Sequence, residues 1–165
     1  MSTLPLSRPL AAAAVPSDGI DVEVVATNDE CAALAAFNET VSVDSFVARL
    51  HVSPLGRDGL RVRGTLAAEA TRTCVVTLDP FPERISEDID VRFVPGADAA
   101  DERDDAPEPL VGGAIDLGQL AAEFFALALD PHPRKPGAVF AQDGDGVGDS
   151  PFAALRRLKE GPDGR

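Results

Sequence analysis

Most of the chain alternates apolar and polar residues with a period of two, and a helical period intervenes in only three places. Residues 4–10, LPLSRPL, predict an extended edge segment, because Pro5 and Pro9 cannot donate to a ladder. In IDVEVVAT, Ile20, Val22 and Val24 alternate with Asp21 and Glu23, as in a half-buried strand. Asn28 then reads as a helix N-cap, followed by Asp29 and Glu30 at the positive end of the dipole and by Cys31, Leu34 and Phe37 on one face. From Val41 to Val52 the strand period returns, with Phe46, Ala48, Leu50 and Val52 opposite Arg49, His51 and Ser53. PLGRDG predicts a hairpin through Asp58 and Gly59. Leu60, Val62, Leu66, Ala68, Ala70, Cys74, Val76 and Leu78 then share one parity, interrupted by Arg72 and by Gly64, which predicts a bulge. DPFP predicts a turn, and Ile85, Ile89, Val91 and Phe93 a further strand.

Between Gly96 and Pro109 the acids Asp98, Asp101, Glu102, Asp104, Asp105 and Glu108 surround one basic residue, Arg103, and almost nothing asks to be buried. That composition predicts a solvated loop. Asp116 and Gln119 then predict a capping box for LGQLAAEFFALAL, with Leu117, Leu120, Ala121, Phe124 and Leu127 as the main face. Phe125 and Leu129 widen that face so far that the helix must be buried on most sides or covered by a docked partner. DPHPRKPGAVF reads as an extended arm, residues 141–150 as a flexible linker, and PFAALRRLKEG as a short helix with Phe152, Leu155 and Leu158 on one stripe. The expected fold is α+β. It comprises a mostly antiparallel sheet or partial barrel with one buried helix over residues 1–140, then the linker, then a short C-terminal helix and tail over 151–165.

With 15 basic and 28 acidic side chains the formal charge is −13, which repels nucleic-acid phosphate and anionic membrane surfaces and favours basic partners. No apolar run approaches the roughly 18 residues a membrane span needs, and prolines break the N-terminal apolar stretch, so a cytoplasmic location is expected. Cys31 and Cys74 are too few for a disulfide framework, and they read as thiols. A nucleophilic Cys74 would need a base, yet His51 falls on the solvent side of its strand and His132 lies between two prolines, so Cys74 reads as a packed side chain. The DGDG of residues 143–146 lacks the remaining ligands of a calcium loop. No catalytic, cofactor-binding or metal-binding residue is therefore expected. Arg49, Arg57, Arg61, Arg63 and Arg72 face only Asp58 and Glu69 in the same segments, an excess of 5 − 2 = 3 positive charges that makes them candidate RNA contacts. A solvated sheet face is the stronger reading of those arginines.

GTLAAEATRTCVVTLDPFPERI, then DVRFVP, the acidic loop and IDLGQLAAEFFALALDPHPRKPGAVF, in that order, resemble the YceD family of large ribosomal RNA accumulation proteins. The resemblance covers about Gly64 to Phe140. It implies a non-enzymatic bacterial cytosolic protein, with plastid relatives, that supports accumulation of 23S ribosomal RNA during large-subunit assembly. Other branches carry paired cysteines near the position of Cys74 and again after the helix. Here RTCVV has one cysteine and DPHPRKPGAVF none, so a zinc site does not carry over.

On this reading the partner is a large-subunit precursor, and so acidic a chain is best suited to a basic ribosomal protein. The loop acids Asp98, Asp101, Glu102, Asp104, Asp105 and Glu108 are expected to attract it, and His132, Arg134, Lys135, Pro136 and Gly137 of the arm to add a shape-specific contact. Direct binding of 23S ribosomal RNA through the five arginines is the alternative, and no small-molecule substrate is expected.

Overall fold

The computed structural model describes residues 5–98, 103 and 106–139. The linker and C-terminal helix expected over 141–165, and Asp101, Glu102, Asp104 and Asp105, lie outside the described residues.

Strand β1 (Pro9–Ala11) is followed by a single 3-10 turn, β2 (Ile20–Val25), helix α1 (Asn28–Phe37), and the long strands β3 (Ser42–Leu55), β4 (Gly59–Thr73) and β5 (Pro80–Val94). The described elements finish with β6 (Glu108–Pro109), β7 (Ala114–Asp116) and helix α2 (Leu117–Ala128). Strands β2-β3-β4-β5 form an antiparallel meander, β6 adds in parallel beside β5, and β1 pairs with β7 as a separate ribbon. The fold is α+β, and the five-stranded sheet is open, with β2 and β6 at its edges.

The period-two pattern places its apolar set on one face. Phe46, Ala48, Leu50 and Val52 of β3 join Val62, Leu66 and Ala68 of β4 and Ile85 and Ile89 of β5 in a single core, which both helices cover. Cys31, Leu34 and Ala35 come from α1, and Leu117, Ala121, Ala122 and Phe125 from α2. The rings of Phe46 and Phe125 meet edge to face at 5.7 Å, a favourable aromatic geometry in the middle of the core.

Several local expectations change. The N-cap of α1 is Thr27, not Asn28: its hydroxyl accepts from the Glu30 N–H while the Glu30 carboxylate accepts from the Thr27 N–H, a complete capping box. Phe37 is half exposed rather than on the buried face. The hairpin closes with Leu55 opposite Gly59, so Gly56, Arg57 and Asp58 form a three-residue loop and the left-handed residue is Gly56. Gly64 makes no bulge; the register slips in β3 between Val43 and Ser45 instead. DPFP is no turn, because Pro80 and Pro82 lie in β5 opposite Thr73 and Thr71. Over that length β5 has β4 on one side only, so a proline nitrogen facing the open side leaves no ladder bond unmade.

At α2, Asp116 is the N-cap, but Gln119 turns to Glu123 and does not complete a box. Leu127, expected on the buried face, is exposed, and Phe125 takes the central place. The N-terminal segment packs against the first turn of the helix. Leu6 is fully buried, and the backbone of Ser7 and Arg8 lies so close to Gly118 that a Cβ there would approach within 2.8 Å of the Arg8 nitrogen.

Candidate functional site

The outer face of the sheet carries most of the arginines that make up the local positive excess. Cross-strand register brings Arg49, Arg61, Arg63, Arg84 and Arg92 onto it, together with Asp21, Glu23, Glu69, Asp88 and Asp90. Most of these arginines meet a carboxylate directly. Arg49 meets Glu23 at 2.9 Å, Arg84 meets Glu69 at 3.0 Å, and Arg61 grips Asp90 through two bonds of 2.8 and 2.7 Å, with Arg63 3.4 Å from the same group. Arg61, Arg63 and their own field hold the Asp90 carboxyl below its usual range. His51 sits 2.7 Å from Asp21. Arg57 lies apart at the hairpin tip.

Arg72 is not on that face at all. It projects to the inner side, is 8 % exposed, pairs with Glu83 at 3.0 Å and donates to the carbonyl of Asp130 beyond α2. The predicted excess of three therefore dissolves: one arginine is buried as a strut, and the outer face is balanced by carboxylates that sequence distance had hidden.

The strut holds a second feature in place. After Thr73 the chain leaves the sheet in a tight turn, closed by the Leu78 N–H to the Cys74 carbonyl at 2.9 Å, with Leu78 in the left-handed region at φ 61° and largely exposed. Val76 and Leu78 thus do not continue the inward strand parity. Cys74 is fully buried, yet it lies outside the main apolar core. Its sulfur is surrounded by donors: the Thr77 hydroxyl, then the backbone N–H groups of Lys135, Thr77 and Val76, the last two at 3.5 and 3.4 Å. Against burial, which opposes ionisation, these donors pull the thiol down to about 7. Cys31, packed among apolar groups and near Glu30 and Asp44, is pushed the other way. Thiolate absorbance in the native protein should accordingly show one titration near pH 7, lost in Cys74→Ser and retained in Cys31→Ser. A single step near pH 9 would show that the donor cradle does not act on the sulfur. Because the folded value is depressed, this cradle adds stability above the unfolded value of 9.0, and that contribution is lost as pH falls through about 7.

The arm expected after α2 is docked rather than free. Pro133 is buried and its carbonyl accepts from the Val75 N–H at 2.9 Å, and Gly137 turns the backbone at φ 77°. His132, Arg134, Lys135, Pro136 and Gly137 remain exposed on this turn, with the Lys135 ammonium 3.9 Å from Asp79.

At the other end of the sheet lies a groove of about 870 Å³ between α2 and the β5–β6 edge. Its floor is apolar, from Val91, Phe93, Leu120 and Phe124, and its rim carries the exposed Val111 and Leu127. Glu108 and Glu123 stand on opposite walls, and Ala106, where the acidic segment returns, is also part of the lining. Of the six loop acids, Asp98 and Glu108 are the described ones, and Glu108 opens directly onto the groove. Glu108 and the arm thus lie at opposite ends of the sheet. The groove was not singled out from the sequence, although the excess apolarity of α2 was its signal.

Among the described residues no helix is long and apolar enough to cross a membrane, and no three metal-ligating side chains converge. A family model described as large ribosomal RNA subunit accumulation protein YceD matches residues 62–159, more than half of the chain. No curated protein and no solved structure matches it.

Proposed function

Because the chain belongs to the YceD family of large ribosomal RNA subunit accumulation proteins, we propose that it serves large-subunit assembly without catalysis, by holding a basic ribosomal protein at its acidic end. The observation that carries this reading is the charge balance. The outer sheet face has its arginines matched by carboxylates, so the described residues present no concentrated basic face to overcome the chain's −13 charge near RNA phosphate. The acids of residues 98–108, in contrast, meet one arginine in the sequence. A basic partner is drawn to that end at long range and RNA is repelled.

Replacing Asp98, Asp101, Glu102, Asp104, Asp105 and Glu108 by serine should weaken capture of the partner by about tenfold and flatten its dependence on salt. The measurement is a tagged pull-down with and without ribonuclease, followed by affinity titration of the protein recovered. An unchanged affinity and salt slope would reduce the loop to a spacer. Recovery of large-subunit RNA, with every protein partner lost on ribonuclease treatment, would favour direct RNA contact and direct attention to Arg57 and its neighbours.

A further inference from the structure

We infer that the groove between α2 and the β5–β6 edge is a docking site for a basic amphipathic helical segment of a partner protein. The inference rests on the proposed function for the sign of the partner's charge and adds the apolar contact that would make the capture specific.

Helix α2 carries two apolar stripes. Leu117, Ala121 and Phe125 are buried against the sheet. Leu120, Phe124 and Leu127, spaced i, i+4, i+7, run along the groove. The second stripe ends in the open: Leu127 is 82 % exposed and, across the groove, Val111 is 76 % exposed. Scattered exposed aliphatics are ordinary, but here they rim a concave surface whose floor is Phe93 and Phe124. A groove so lined fits a helix presenting anchors at the same spacing.

Charge selects among occupants. The lining holds Asp90, Glu108, Asp116 and Glu123 against Arg61 and Arg92. Asp90 is taken by Arg61 and Asp116 is spent on capping α2; with Arg92 included the lining keeps an excess of 4 − 2 = 2 negative charges, and Glu108 and Glu123 supply carboxylates on its two walls. Glu123 accepts from Gln119 through one oxygen and keeps the other. A second copy of a −13 chain would bring acid against acid, and an anionic membrane would be repelled, whereas lysines and arginines flanking an apolar stripe meet both rims.

The test uses the full chain and a fluorescent 18-residue peptide of leucine, lysine and arginine in helical amphipathic order, with a scrambled peptide of the same composition as control. Val111→Ser with Leu127→Ser should weaken the amphipathic peptide by about tenfold, leave the scrambled peptide and the salt slope unchanged, and leave the thermal midpoint intact, since both side chains are already in water. Undiminished affinity in that variant overturns the docking site, while the loop-to-serine variant, measured in parallel, still reports on the acidic-end proposal by its own salt slope. Self-association of the wild-type chain that the serine pair abolishes would make a second copy the occupant and overturn the inference. So would a tenfold gain in peptide affinity in Leu155→Ser with Leu158→Ser, which would identify the chain's own basic tail as what fills the groove.

Discussion

Replacing Gly64 by alanine is expected to cost about 3–5 kcal/mol, a large share of the roughly 5–15 kcal/mol that holds an ordinary domain folded. Gly64 sits in the middle of β4, opposite Leu50 on one side and Ile89 on the other. A Cβ there would lie 1.9 Å from the Arg49 carbonyl oxygen and 2.9 Å from the Leu50 Cα. All of these atoms are backbone, so no side chain can swing away; β3 and β4 must separate where the two long strands are paired on both sides of the contact. Overpacking at a flexible site costs about 1–3 kcal/mol, and a rigid main-chain clash exceeds that range. Urea unfolding followed by circular dichroism checks the prediction: the midpoint should fall sharply at an unchanged slope. A shift within about 0.5 kcal/mol of wild type, the usual range for a surface substitution, would show that the strands are not so closely apposed.

Asp116→Ala should be the next most damaging change, at about 2–4 kcal/mol. One carboxylate serves four donors: the Ser7 hydroxyl at 2.5 Å, the Arg8 N–H at 2.7 Å, and the N–H groups of Gly118 and Gln119 at 3.0 Å each. The last two are the N-cap of α2, worth about 1 kcal/mol alone. The first two fasten the N-terminal segment, and losing them leaves the Arg8 N–H without its acceptor beside the helix. Asp116→Asn, which keeps an acceptor oxygen without the charge, should recover about half of the loss. Equal stability of the alanine variant and wild type would remove the anchoring role.

The same segment gives the protein an acid limit. Arg8, which grips Glu30 through bonds of 2.8 and 2.9 Å, and the Thr27 N–H hold the Glu30 carboxyl down to about 2. Burial opposes the Asp116 shift, but its four donors outweigh it and the carboxyl also lies below its ordinary value. A depressed carboxylate stabilises the fold above its unfolded value and loses that contribution as pH falls through its folded one. For Glu30 the window therefore runs from 4.5 down to about 2. Unfolding midpoints across that window should fall in wild type and fall less steeply in Glu30→Gln; parallel curves would exclude the Arg8–Glu30 clasp as the cause.

Much of the architecture is legible in the chain because it is local. Period-two runs at Phe46–Val52 and Leu60–Ala70 can bury only one face of a pleated strand, and an aspartate before LGQL has little better to do than cap it. The acidic run of residues 98–108 is likewise a matter of composition. What local pattern could not contain is the identity of the partners that distant segments bring. Arg72 reads as a member of a basic face until Glu83 and the Asp130 carbonyl meet it on the inside. Gly64 reads as a bulge until β3 is laid against it, and Arg61 and Arg63 read as available cations until β5 supplies Asp90. Cys74 reads as apolar packing until the chain after α2 returns with the Lys135 N–H. The sequence by itself determined the α+β class, the long strands β2 to β5, the Asp116 cap of α2 and the sign of the charge, since these follow from each residue's neighbours along the chain. Only the tertiary structure decided which charges are neutralised, which stripe of α2 stays open and where the groove lies, since each depends on register and docking between segments far apart in sequence.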